Sequence, residues 1–265
     1  MKFEGQGIIL TGAAGGMGQL LVADLLKQGA QVAMVDANEG ALQLLAADAE
    51  GKVYPVVADL SSTAGCADAV KACQKHLGQV DMLINLAGLN SFANFAEEDP
   101  NYIELMMRVN VLAPMLLARA LLPSFLAQNT GKIVNVGSVF GSIGFAWFAT
   151  YSASKFGLRG FSESLRRELA DTNVHVTYIA PRAVKTPMNN AAVMKMGEAT
   201  GMNMDEPELV VKKIIQAIES DKKDCYFGFP ESLFVRVNAL LPRLVDLALA
   251  GQNKIAKTFL KHKGE

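Results

Sequence analysis

The sequence is poor in the residues that build metal and redox sites. Its 265 residues include only three cysteines and three histidines. Cys66, Cys73 and Cys225 show no C-x-x-C spacing, and His76, His175 and His262 are scattered. No metal site is expected, and the cysteines read as small buried hydrophobes. Cys66 and Cys73 lie seven apart, which predicts a shared helix face. Nothing in this pattern calls for an oxidising compartment. Charge of one sign is missing too: 25 Lys and Arg balance 26 Asp and Glu, for a formal net charge of −1. Without a basic tract, nucleic acid is disfavoured as the main partner. No uninterrupted apolar run reaches the roughly 18 residues of a membrane span. The richest stretch, residues 111–127, is broken by Pro114, Arg119 and Pro123. Met1-Lys2-Phe3-Glu4-Gly5 lacks the apolar stretch of a secretory signal, so a cytoplasmic location is the expectation. Short-period repeats and low-complexity linkers are also lacking.

What is present alternates. About half of the residues are apolar (51%), enough for one large core. Short apolar runs at Gly7–Thr11, Gln31–Asp36, 53–60, 80–86, 132–138, Val174–Ala180 and 224–229 read as strands. Between them, apolar residues at helical spacing predict helices over 17–28, 40–49, Thr63–Leu77, 102–128 and 151–171, and a last one from Pro207. Pro114 and Pro123 read as kinks or ends of the long 102–128 helix. Strands alternating with helices imply parallel pairing and right-handed crossovers. Near-continuous apolar strands such as Met82-Leu83-Ile84 suit a sheet covered on both faces. The expected fold is α/β: a single doubly wound parallel sheet with helices on both faces.

Thr11-Gly12-Ala13-Ala14-Gly15-Gly16-Met17-Gly18 links the first strand to the first helix. Glycines allow a tight bend and close approach of backbone to a pyrophosphate, which the helix N-terminus would attract. The string alone is weak evidence; its strand–turn–helix context strengthens it. Asp36 ends the second strand, 18 residues after Gly18. A carboxylate there can accept both hydroxyls of an adenosine ribose and would repel a 2′-phosphate. The next residues, Ala37 and Asn38, offer no compensating cation. NAD(H) is therefore expected over NADP(H), the alternative being that Asp36 merely begins a turn.

Tyr151 and Lys155 are four apart, which puts both on one helix face. A free phenol, with a pKa of about 10, holds its proton too tightly for work near neutral pH. An ammonium beside it favours the phenolate. Ser138 closes a strand at the expected carboxyl edge of the sheet, where its hydroxyl can hold a substrate oxygen as charge develops. Judged alone, the Tyr–Lys pair would be an ordinary amphipathic helix facing solvent. The nucleotide turn and Ser138 argue for a proton-transfer site.

With these motifs in place, the chain resembles the short-chain dehydrogenase/reductase superfamily in its single-domain form, over about residues 5–228. The family's Thr-Gly-x-x-x-Gly-x-Gly turn matches Thr11, Gly12, Gly16 and Gly18, and its Tyr-x-x-x-Lys pair matches Tyr151 and Lys155. Its catalytic serine matches Ser138, and its helix asparagine matches Asn110. The resemblance implies a Rossmann-type domain over 1–228, with a flap at 187–206 covering substrate and cofactor. It also implies that the Asn110 backbone carbonyl supports a water relay to Lys155. Implied cofactor contacts are Gly12, Ala14, Gly16, Met17, Gly18, Asp36, Asp59, Leu60, Asn85, Ala87, Gly88, Tyr151, Lys155, Pro181, Val184 and Thr186. Two positions depart from the family pattern. Leu86 replaces the second asparagine of Asn-Asn-Ala-Gly, and Arg182 replaces the glycine usual after Pro181. Arg182 is expected to point to solvent; the alternative is that it borders the substrate cleft and favours anionic groups.

The function so implied is interconversion of a secondary alcohol and a ketone with NAD(H), in a homodimer or homotetramer. An NADP(H)-linked reductase of 3-oxoacyl or polyketide substrates is the enzymatic alternative, and an NAD(H)-sensing regulatory protein is the alternative of another class. The segment 139–148 (Val-Phe-Gly-Ser-Ile-Gly-Phe-Ala-Trp-Phe) and the methionines 188, 194, 196, 202 and 204 suggest a pocket for a hydrophobic substrate, or else ordinary packing. Residues 229–265 form an extension in which Leu233, Phe234, Val237, Leu240, Leu241, Leu244, Val245, Leu247 and Leu249 are expected to make one apolar cluster. Arg236, Arg243, Lys254, Lys257, Lys261 and Lys263 add positive charge, and Pro242 is expected to split the extension into two helices. Such a segment can dock on the domain or on a neighbouring subunit, or lie on a membrane surface.

Overall fold

The computed structural model describes residues 2–260. In chain order the elements are β1 (Gly7–Thr11), α1 (Gly16–Lys27), β2 (Gln31–Asp36), α2 (Glu39–Asp48), β3 (Lys52–Val57), α3 (Thr63–Leu77) and β4 (Met82–Asn85). Then follow α4 (Pro100–Met107), α5 (Ala113–Ala127), β5 (Gly131–Val136), α6 (Ala149–Glu168), β6 (Val174–Ala180), β7 (Ala183–Val184) and α7 (Ala191–Thr200). The chain continues through β8 (Met204–Asp205), α8 (Pro207–Glu219), β9 (Asp224–Tyr226), α9 (Glu231–Leu240) and α10 (Pro242–Lys257).

Seven strands form one sheet in the order β3-β2-β1-β4-β5-β6-β9, and every pairing is parallel. β1 and β4 are buried along their whole length, which is why they are apolar without alternation. On one face, Leu21 and Leu25 of α1 pack with Ile214 and Ile218 of α8. On the other, Val70 of α3 packs with Leu117, Leu121 and Phe125 of α5 and Leu165 of α6. Strand order reverses between β1 and β4, so a crevice opens at the carboxyl ends of these strands. The doubly wound α/β architecture is as the alternation predicts.

Several details differ from expectation. The long helix is interrupted next to Pro114, which lies in the first turn of α5, and runs unbroken through Pro123. The irregularity is a π-turn at Arg108–Leu112, since Pro114 has no N–H for the Asn110 carbonyl four residues back. Taken as one helix, Pro100–Ala127 is long and apolar enough by length and composition to cross a membrane, with a mean hydropathy of 1.6 over its most apolar 18 residues. Its Leu117, Leu121 and Phe125 are nevertheless buried against the sheet, so this helix covers the core. β3, β4, β5 and β9 stop one to three residues early, because the chain peels away from the ladder into crevice loops. β7 and β8, which pair with each other across the flap's two ends, carry no strand signal in the sequence. Cys66 and Cys73 do share the buried face of α3, where burial pushes their thiols up to about 11 and about 12.

Pro242 does separate two helices, but the extension's apolar residues divide. Val235 and Val245 are buried with Val139 and Ile143, and Val237 and Leu249 pack against them. Leu233, Phe234, Leu240, Leu241, Leu244 and Leu247 are exposed. Lys261 and Lys263 lie outside the described residues.

A chain of buried amides ties the centre of the sheet to α6. Asn85 Nδ2 donates to Asn135 Oδ1 at 2.8 Å, Asn135 Nδ2 donates to Ser162 Oγ at 2.9 Å, and Ser162 Oγ donates to the Leu158 carbonyl at 2.7 Å. Replacing Asn135 leaves the Asn85 amide buried without an acceptor, at a cost on the order of 2 kcal/mol. Asn135→Ala is expected to lower the urea midpoint accordingly, and an unchanged midpoint would show that the chain of amides contributes nothing to stability.

Candidate active site

The site begins where β5 ends. Ser138 is 9% exposed and extended, and its Oγ accepts from the Phe140 N–H at 3.1 Å. Its main chain is held by Tyr178 of β6, which is fully buried. The Tyr178 phenol donates to the Ser138 carbonyl at 3.2 Å and accepts from the Ser138 N–H at 3.4 Å. A Cβ added at Gly137 would lie 2.2 Å from that phenol oxygen, so the turn needs glycine there. Tyr178 carried no signal in the sequence: a tyrosine in an apolar strand reads as core.

One turn of α6 brings up Tyr151 and Lys155, and both line the same cleft as Ser138. Lys155 is 5% exposed, and its ammonium donates to the Val136 carbonyl at 3.1 Å and stands 5.8 Å from the Tyr151 ring centroid. Burial pulls the ammonium down to about 8. Burial also pushes the Tyr151 phenol above its ordinary value, and a hydrogen bond with Ser138 works against that push. The lowering of Tyr151 expected from its cationic neighbour thus does not prevail in the protein alone. Both groups are desolvated, and desolvation penalises the charged form of each.

Asn110 is fully buried beside them. Its Oδ1 accepts from the Leu89 N–H at 2.7 Å, and its Nδ2 donates to the Leu89 carbonyl and to Ser154 Oγ, both at 2.9 Å. Asn110 therefore clamps the loop after β4 to α6, a use its position inside a helical sequence did not suggest. Gly88 fits between the two side chains. A Cβ there would stand 3.3 Å from Asn110 Oδ1 and 3.4 Å from Lys155 Nζ.

The glycine turn packs against the loop after β4. Gly12 has φ +71°, and a Cβ on it would lie 2.8 Å from the Ala87 backbone. A Cβ on Gly18 would lie 2.1 Å from the Gly12 carbonyl oxygen, so the approach of turn to helix also requires glycine. Asp36 ends β2 beside this turn. Its Oδ2 accepts from the Ala14 N–H at 3.1 Å and its Oδ1 from the Asn38 N–H at 3.0 Å. Met17, Gly88, Pro181, Val184 and Thr186 line the cleft with Ser138 and Tyr151, and Gly16 faces Thr186 and Pro187 across it.

Three further expected contacts have side-chain surroundings of their own. The Asn85 side chain is spent in the buried amide chain. The Leu60 side chain packs in the core under α3. Asp59 is exposed; its carboxylate accepts from the Ser61 N–H at 2.9 Å, and the hydrogen bonds with Ser61 hold it below the usual carboxylate range.

Phe140, Phe148, Met188, Val193 and Met202 give the cleft an apolar wall. Other residues of the two expected lining segments turn inward: Ile143, Phe145 and Met196 are buried core residues. Arg182 does not point to solvent. It lines the cleft and pairs with Asp205 of β8 at 2.7 Å and with Glu231 of α9 at 3.1 Å. Both carboxylates raise its pKa, and they take up the charge that could have attracted an anionic substrate. The sequence could not show this, because the partners are 23 and 49 residues away.

The sequence profile described as short chain dehydrogenase matches residues 6–197. Ketoacyl reductase HetN of Nostoc sp. is 30% identical over 250 residues, covering 93% of this chain and 84% of that protein. Estradiol 17-beta-dehydrogenase 11 of Pongo abelii is 30% identical, covering 90% of this chain and 80% of its own. Among solved structures, a metagenomic short-chain oxidoreductase in complex with NADP is 26% identical with a TM-score of 0.72, covering 86% of this chain and 98% of its own. A short chain dehydrogenase/reductase from Burkholderia phymatum in complex with NAD has a TM-score of 0.82 at 24% identity, covering 92% and 96%, a likeness of fold alone. A serine, a tyrosine and a lysine converging at the carboxyl edge of a doubly wound sheet thus coincide with a family match over most of the chain, and the protein belongs to the short-chain dehydrogenase/reductase family of nicotinamide-dependent oxidoreductases acting on CH–OH groups.

Proposed function

We propose that the protein interconverts a hydrophobic secondary alcohol and its ketone, with NAD(H) as the preferred cofactor. The observation that carries this reading is one cleft that holds Ser138, Tyr151 and Lys155 against the apolar wall of Phe140, Phe148, Met188, Val193 and Met202. Such a wall binds an apolar body and leaves the polar corner for a single oxygen.

The crevice fits a dinucleotide. α1 starts at Gly16, directly after the glycine turn, without a side-chain cap and without an acid in its first turn. Its first N–H groups and its positive dipole end suit a pyrophosphate held by Gly12, Ala14, Gly16, Met17 and Gly18. When bound, the nicotinamide supplies the hydride acceptor or donor. In alcohol oxidation, Ser138 Oγ donates to the substrate oxygen and Tyr151 Oη takes the hydroxyl proton; in reduction Tyr151 returns it. Lys155, charged below about pH 8, opposes the upward push of burial on the phenol. Tyr178 and Asn110 are positioning residues for Ser138 and for α6. Asp36, followed by Ala37 and Asn38, favours NAD(H), since two like charges about 5 Å apart repel by roughly 3 kcal/mol at an intermediate dielectric. A homodimer or homotetramer is part of this reading, and the exposed Leu105, Met107, Met115 and Phe156 on α4, α5 and α6 support it.

A panel of apolar secondary alcohols and ketones, with 3-oxoacyl thioesters included because of the relative named Ketoacyl reductase, is expected to show turnover by nicotinamide absorbance with NAD(H) at least about tenfold better than with NADP(H). Tyr151→Phe is expected to lose kcat by at least about a hundredfold while still binding NADH by fluorescence. Full turnover by that variant would refute the acid–base role.

Lys155 also predicts a pH dependence of stability. Its folded value of about 8 lies below its ordinary 10.5, so the native state releases this proton first. Unfolding free energy relative to Lys155→Met should therefore rise as pH climbs from about 8 toward 10.5, and should be flat below about 7. Urea titrations of both proteins across this range read the difference; a flat difference would mean that the ammonium is not desolvated.

A further inference from the structure

We propose that the α9–α10 hairpin is a docking surface for an anionic lipid bilayer. The inference does not depend on the redox reading, because vesicle binding is measured without turnover. Eight of the eighteen exposed large apolar side chains among the described residues fall within residues 229–255, about a tenth of the chain. They are not scattered. On α10, Leu244, Leu247 and Ile255 follow helical spacing along one outward stripe, opposite the buried Val245 and Ala256. On α9, Leu233 and Leu240 share a stripe two turns apart, and Leu240-Leu241 forms the tip that joins the two helices. Leu240 is 80% exposed and Leu247 74%, exposures that a packed helical hairpin does not otherwise require. A contiguous apolar patch of this kind on a soluble chain marks a partner surface.

The charges beside the patch point to the partner. Arg236, Arg243 and Lys254 are exposed on the same two helices. Arg243 has only the exposed Asp246 opposite it, and Glu231 is already taken by Arg182 and Asn203. Residues 229–260 hold four cations (Arg236, Arg243, Lys254, Lys257) against two carboxylates (Glu231, Asp246), in a chain of formal net charge −1. Leucines flanked by cations match an interfacial helix whose apolar side enters the acyl boundary while the cations meet anionic headgroups. The exposed residues on α4, α5 and α6 form a separate set on other helices.

The hairpin is also joined to the cleft. Glu231 in the first turn of α9 lines it and binds Arg182 and Asn203. Asn253 of α10 accepts through its carbonyl from the Trp147 indole N–H at 3.2 Å, and Lys257 stands 6.0 Å over the same ring. Trp147 has φ +71°, a left-handed conformation uncommon for a bulky residue, and it sits four residues before Tyr151. A bilayer beneath the hairpin would lie next to the mouth of an apolar pocket, which suits a substrate that partitions into lipid.

The test is cosedimentation of the full chain with extruded vesicles of phosphatidylcholine alone or mixed with phosphatidylserine, at low and high salt. The expected result is at least about tenfold more protein bound to the phosphatidylserine vesicles at low salt, with that excess lost at high salt. Leu240→Asp combined with Leu247→Asp, both at exposed positions, is expected to cut binding by at least about tenfold, with an unchanged circular dichroism spectrum and NADH affinity. Arg236→Ala with Arg243→Ala is expected to remove the preference for anionic vesicles. The proposal is overturned if the protein stays in the supernatant with both vesicle types, or if the leucine variant binds as wild type does. It is also overturned if light scattering shows a wild-type oligomer that the leucine variant splits into monomers, since the patch would then belong to a second copy.

Discussion

An ammonium buried without a carboxylate is the constraint around which the site is arranged. Lys155 has one carbonyl, that of Val136, for its charge, and burial lowers its pKa to about 8. Such a group is costly to hold unless the surrounding backbone is over-determined. Here it is. Val136 ends a central strand, Asn110 clamps the loop after β4 to α6, and Gly88 leaves space between the two side chains. Stability is given up at the one position where a cation next to a phenol is useful.

The supporting shell is polar and buried. Asn85, Asn135 and Ser162 link β4, β5 and α6 by short hydrogen bonds, and Tyr178 holds both main-chain groups of Ser138. These bonds tie the strand ends to α6 and to one another. Apolar packing alone tolerates small slides. The positions of Ser138 and Tyr151 therefore depend on residues that touch neither of them in the sequence.

Around the cleft mouth the same economy applies to charge. Arg182 lines the cleft yet adds no free cation, since Asp205 and Glu231 neutralise it. The result is a cross-brace between the flap and α9 at the edge of an apolar pocket. The extension that supplies Glu231 keeps its inner leucine and valines on the domain and its outer leucines bare. It is thus both part of the rim and a surface of its own.

Much of this was legible in one dimension, for a physical reason. Strand and helix periods, the glycine turn and the Tyr151–Lys155 spacing are local patterns, set by backbone geometry within a few residues. They specify the doubly wound sheet, the glycine turn and the pairing of Tyr151 with Lys155 on one helix face by themselves. The π-turn at Asn110, the grip of Tyr178 on Ser138, the burial of Leu60 and Asn85, and the pairing of Arg182 were decided only in the tertiary structure. Each depends on a partner at least twenty residues away, or on which face of an apolar run meets another layer. Composition states that a leucine is apolar; only packing decides whether it is covered, and that is why the extension's single apolar cluster became one buried set and one exposed one.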